Sequence, residues 1–172
     1  MRTLLPLLIA AALSAQPTDI DGWGKIHWGM TLDQARTAYS VTAAPAANPY
    51  WTILTLPAVT IGNLHLDASA GAKQPSDRIT QVRLSMFFGL SDSAPLAGPQ
   101  DFETLRTLLI QKYGSHTRTA TSESYGDVIQ TVTWIFPHST ITLTLLQKQS
   151  APDIGSVEVV YSQTEPNARD VL

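Results

Sequence analysis

The residues with chemistry to offer are few and scattered. Histidines stand at positions 27, 65, 116 and 138. His65 and Asp67 alternate, so a β-strand would turn both toward one side, where both are able to ligate a metal. Two ligands fall short of the roughly three or four that a protein metal site uses, so the pair reads as an exposed strand face. "DIDGWG" from Asp19 begins like a calcium loop, but its glycine comes too early and the late glutamate is missing. His27 alternates out of an apolar face, His116 lies in the polar stretch "GSHTRTATSESYGD", and His138 sits in a short turn. The chain has no cysteine and no G-x-S-x-G, S-x-x-K or H-E-x-x-H spacing. A hydrolase would therefore have to gather His, Asp or Glu side chains from distant positions into one pocket. The expectation is no catalytic residue, no metal and no cofactor.

The formal net charge is -3, from 11 Lys and Arg against 14 Asp and Glu. That balance leaves no basic footprint for nucleic acid or for an anionic membrane. The N-terminus, "MRTLLPLLIAAALSAQP", places one Arg before a short apolar run and small residues, the order of a secretory signal peptide over residues 1–15. Cleavage after Ser14 or after Ala15 fits. The run is shorter than the roughly 20 residues that cross a bilayer, so no integral membrane segment is expected after signal removal. The cleavage site lacks a lipobox cysteine. These features predict an exported protein, periplasmic or secreted, with one domain over 16–164 and a flexible tail over 165–172.

Positioning elements follow from periodicity. In "KIHWGMTLDQARTAYS" the side chains of Ile26, Trp28 and Met30 share one parity and point at a core. Thr31 and Gln34 have the spacing of a capping box, and Leu32, Ala35 and Tyr39 predict a helix of about three turns. A second helix carries Phe102, Leu105, Leu108, Leu109 and Tyr113 on one stripe, with Pro99 in its first turn and Gly114 as its C-terminal cap. Elsewhere the period is two. "YWTILTL" ends at Pro57, and a parity slip at Gly62 reads as a bulge or bend. Inward sets are Val82, Leu84, Met86 and Phe88; Val132, Trp134 and Phe136; Ile141, Leu143 and Leu145; and Val157, Val159 and Tyr161.

The order helix, three strands, helix, three strands predicts an α+β fold with about six antiparallel strands and two helices on one face. It also suggests an αβββ tandem repeat with half-repeats 24–90 and 98–164. Pro57, Thr60, Ile61 and Leu66 match Pro137, Thr140, Ile141 and Leu146 at an offset of 80.

"I-x-W-G-M-T-x-x-Q-A" over Ile26–Ala35 resembles the opening of the αβββ modules in secreted β-lactamase-inhibitor proteins and in small outer-membrane assembly lipoproteins of the SmpA/OmlA type. The resemblance implies a helix preceding a small antiparallel sheet, twice in tandem in the inhibitor proteins, and a protein-binding role in the cell envelope. Two departures stand out: no lipoprotein cysteine, and "VTAAPAANP" where those lipoproteins have a Gly-x-Pro turn.

Opposite the inward sets, Phe87, Ile135, Leu146 and Val160 point away from the core beside Arg83, Thr131, Thr133, Thr142 and Glu158. A solvated face carries fewer large apolar residues, and this mixture suits protein recognition. The leading expectation is a non-enzymatic interaction module for another envelope protein, anchored by Arg83, Phe87, Thr133 and Ile135. The alternative is a carrier or sensor of a small apolar ligand held between sheet and helices near Trp28, Trp51 and Trp134.

Overall fold

A computed structural model describes residues 19–89 and 98–164. The signal-peptide and tail assignments lie outside these described residues. The chain opens with a small hairpin, β1 (Gly22–Trp23) and β2 (Ile26–His27), and then helix α1 (Leu32–Ala38). Strands β3 (Ala46–Ala47), β4 (Trp51–Ile61), β5 (Leu64–Lys73) and β6 (Ile79–Phe88) follow. The second half repeats that order with α2 (Gly98–Tyr113), β7 (Arg118–Ser124), β8 (Asp127–Ile135), β9 (Ser139–Lys148) and β10 (Ala151–Gln163).

Eight strands form one sheet in the order β3-β4-β5-β6-β10-β9-β8-β7, and every pairing is antiparallel. Each half therefore meanders from an edge to the centre, where β6 pairs β10 with Leu84 opposite Val159. The α+β expectation holds in outline, but the sheet is larger than predicted. The six long strands are joined by two edge strands, and β1–β2 form a separate ribbon.

Both helices contribute to one core on one side of the sheet. Leu32 and Ala35 of α1, and Phe102, Leu105 and Leu109 of α2, are buried with the inward residues of the strands. The sets assigned to β8, β9 and β10 are all buried, as are Val82, Leu84 and Phe88, while Met86 is half-buried against the core. The capping box is present: Thr31 Oγ1 accepts from the Gln34 N–H, and Gln34 Oε1 accepts from the Thr31 N–H. Helix α1 is seven residues long, about two turns rather than three.

Other local expectations change. β4 continues through Pro57 to Ile61, because β3 pairs only Thr52 and Ile53 and leaves the rest of β4 as an edge where no N–H is needed. The irregularity sits between Leu56 and Val59, while Gly62, with φ +62°, belongs to the β4–β5 turn. The stretch read as a polar loop after α2 contains β7, an edge strand hydrogen-bonded to β8 with all seven residues exposed. Ser, Thr and Glu reveal no inward face there, so alternation carried no signal.

Candidate functional site

The face of the sheet away from the helices lies open. Alternation along β6 presents Gln81, Arg83, Ser85 and Phe87 there, and β10 presents Ser156, Glu158, Val160 and Ser162. Phe87 is 62% exposed and Ile135 55%. At the centre, Arg83 Nε meets Glu158 Oε1 at 2.7 Å. Burial pushes the Glu158 carboxyl upward, and the Arg83 charge partly opposes that shift. Beside this pair, Thr144 lies opposite Thr131 and Thr142 opposite Thr133, a hydroxyl-bearing strip with no charge of its own.

The four proposed anchors share this face but not one spot. Arg83, Val160, Thr142 and Thr133 are successive cross-strand neighbours, so Arg83 and Thr133 stand three strand spacings apart, about 14 Å. Phe87 pairs with Ser156, whereas Ile135 lies in the row of Thr140 and Ser162, about 20 Å further along the strands. They span the face rather than forming one cluster.

One hollow indents the face in the first half, and a second opens at its margin. The first, of about 210 Å³, is lined by Asn48, Trp51, Ile53, Ser69, Gly71, Gln81 and Arg83. The Trp51 ring lies over Gly71, where an added Cβ would approach it to 3.2 Å, so glycine is what admits the indole. The other, about 490 Å³, opens where β5 and β6 part. Their pairing stops at Asp67 opposite Ser85, yet β5 begins at Leu64 and β6 runs on to Phe88. His65, Asp67 and Phe87 stand at this gap, and Asp101 of α2 also lines it. Sequence reasoning missed Asp101, whose place in the first turn of α2 looked like an ordinary helix start.

The gap is the pocket that a hydrolase reading would need, but its hydrogen bonds do not form a catalytic relay. His65 Nδ1 is 3.0 Å from Thr60 Oγ1 and is bonded to neither carboxylate. Among the described residues no group of three His, Asp or Glu is placed to hold a metal ion.

The three tryptophans of the apolar-ligand reading do not converge. Trp134 is buried in the core and donates its Nε1–H to the Gly114 carbonyl. Trp28 is half-buried and donates to the Ile20 carbonyl. Trp51 lies on the opposite, free face. A cavity between sheet and helix does exist, about 420 Å³, lined by Trp23, Val59, Ile61, Leu105, Leu108, Leu109, Tyr113 and Tyr161 among others, with Lys112 at its edge. Burial, then the neighbouring Tyr113, pushes the Tyr161 phenol well above its ordinary range, so it stays neutral.

One more cluster joins distant segments. Asp19 Oδ1 accepts from the buried Ser139 hydroxyl at 2.6 Å, and Oδ2 accepts the His138 backbone N–H at 2.9 Å while His138 Nδ1 lies 2.6 Å away. Burial alone would raise the Asp19 carboxyl, but these bonds and that from the Ile20 N–H outweigh it and hold it below its ordinary value. Ser139 donates to the carboxylate and not to His138, so the trio clasps the N-terminal segment to the β8–β9 turn and does not activate a nucleophile.

The chain matches no family model, no characterised protein and no solved structure.

Proposed function

We propose that the protein is an exported, non-enzymatic interaction module that binds another envelope protein through the open sheet face. The observation that carries this reading is the pair of large apolar side chains, Phe87 and Ile135, held in solvent on strands whose opposite faces fill the core. Exposed apolar residues on a rigid platform, interleaved with hydroxyls, are the composition of a recognition surface. The central charges neutralise each other. The fitting partner is therefore a folded protein that offers neutral hydrogen-bonding and apolar groups, not a strongly charged surface. The tandem-module reading belongs with this one: a helix and an antiparallel meander occur twice, and the residue 26–35 motif resembles the opening of inhibitor-type modules.

The test is capture of the tagged mature protein in gently solubilised cell envelope, comparing it with Phe87→Ala/Ile135→Ala. A single partner at near-equal amount, lost in a double variant that melts at the same temperature, supports the reading. Capture that is indifferent to both substitutions sinks it.

A second reading is favoured by the cavity beneath α2. Its apolar walls and the Lys112 charge suit a small amphipathic anion, which makes this cavity, not the three tryptophans, the place for the ligand-carrier function. A lipid or acid found in native mass spectra and lost in Leu108→Trp is the expected sign.

A further inference from the structure

The hollow between β5 and β6 has an electrostatic peculiarity. Asp67 and Asp101 line it, and among the described residues no Lys or Arg does. Asp101 is only 7% exposed and makes no hydrogen bond or ion pair among the described residues. The adjoining segment 90–97, "LSDSAPLA", contains no cation that would serve as its counter-charge. The Asp101 carboxylate is largely shielded yet opens on the hollow, and an ionised group so placed with no counter-charge beside it gains from pairing, protonation or a ligand. Burial pushes the Asp101 carboxyl upward, which is the same conflict expressed as proton affinity. The helix N-terminus favours a negative charge at this position but supplies no partner that fills the hollow.

The rest of the lining suggests what would fill it. Leu64, Leu66 and Met86 give apolar wall, and the exposed Phe87 ring stands at the mouth. The volume of about 490 Å³ lies within the range of small-ligand sites. Metal chemistry is a poor fit, because the described residues provide no suitable trio of ligands here.

We propose that this hollow binds a small aliphatic amine, with its ammonium group on Asp101, its stem along Leu64, Leu66 and Met86, and Asp67 and the Phe87 ring at the entrance. The aromatic ring adds a cation–π contact to the ion pair. This inference does not rest on the free face capturing a protein.

The probe is 1,5-diaminopentane, titrated calorimetrically into the mature chain at neutral pH, with 1-pentanol as the uncharged counterpart. Saturable one-to-one binding of the diamine and none of the alcohol is expected. Asp101→Asn weakens the diamine at least about tenfold, the loss of one charged contact. Phe87→Ala weakens it about threefold, the loss of an exposed cation–π contact. Should Asp101→Asn fail to fold, the exposed Asp67→Asn carries the test with an expected drop of about threefold, as for a partly screened charge. No saturation with the diamine, equal binding of the alcohol, or undiminished binding by the folded variants overturns the proposal.

Discussion

The two halves of the molecule share an element order and solve the same packing problem differently. In the first half, α1 contacts β4 and β5, and β5 turns Ala68, Ala70 and Ala72 inward. Small residues line that side of the sheet, and Ala35 on the helix is fully buried as well. In the second half, α2 contacts β9 and β10, which offer Ile141, Leu143, Leu145, Val157 and Val159. That side of the core is filled by larger side chains. The open face differs as well: the hollow under Trp51 lies in the first half, and the threonine strip in the second. One topology thus admits two packings, provided each layer is filled.

This comparison is broken most sharply by core substitutions. Trp134→Ala removes the largest fully buried side chain and its hydrogen bond to Gly114, and is expected to cost about 3–5 kcal/mol in urea unfolding. The first half should be sensitive in the opposite direction. Ala70→Leu is expected to cost about 1–3 kcal/mol by overpacking beneath α1. A neutral result would mean that the alanine layer of β5 has room to spare. Gly98→Ala belongs with it: a Cβ there would lie 2.3 Å from the Phe88 ring, so the start of α2 must shift and about 1–3 kcal/mol should be lost.

Acid acts on two carboxylates in opposite senses. Asp19, which clasps the β8–β9 turn, has a lowered carboxyl, so its contribution is present above the ordinary 3.8 and is lost as pH falls through its folded value below that. Asp101 is raised, so its destabilising charge is present at neutral pH and is relieved as pH falls through its folded value, above 3.8. Melting across pH 7 to 3 should therefore show a gain followed by a loss, and Asp101→Asn should remove only the gain. The smallest effect on stability is expected for Phe87→Ala/Ile135→Ala, within about 0.5 kcal/mol for each exposed site, although this pair should change partner capture most.

The expected tandem repeat shows how much of this was legible. Matches at an offset of 80 pair Pro57, inside β4, with Pro137, in a turn. The β4–β5 turn at Gly62 and the β8–β9 turn at Pro137 stand 75 residues apart, and the helix-end tyrosines 39 and 113 stand 74 apart. The turns and helix ends thus stand at a different offset from the residue matches. The buried residues differ between the halves, with alanines on β5 where β9 has Ile141, Leu143 and Leu145.

For the candidate site, alternation on β6 and β8 was enough to place Phe87 and Ile135 on the open face. It was not enough to find Asp101, because its role depends on β5 and β6 separating after Asp67 and Ser85. Nor did spacing foresee that Asp19 and His138, 119 residues apart, would meet.

The sequence by itself determined where the two helices lie, the capping box, most of the inward sets of β6, β8, β9 and β10, and in outline the antiparallel α+β class. Those are local consequences of period, caps and turns, each set within a few residues. Only the tertiary structure decided that β6 and β10 join at the centre, that the tryptophans lie on different sides of the sheet, and that a carboxylate is left without a partner where two strands part. Strand order, cavities and the company of a buried charge depend on which distant segments fill the same space, and no local pattern records that choice.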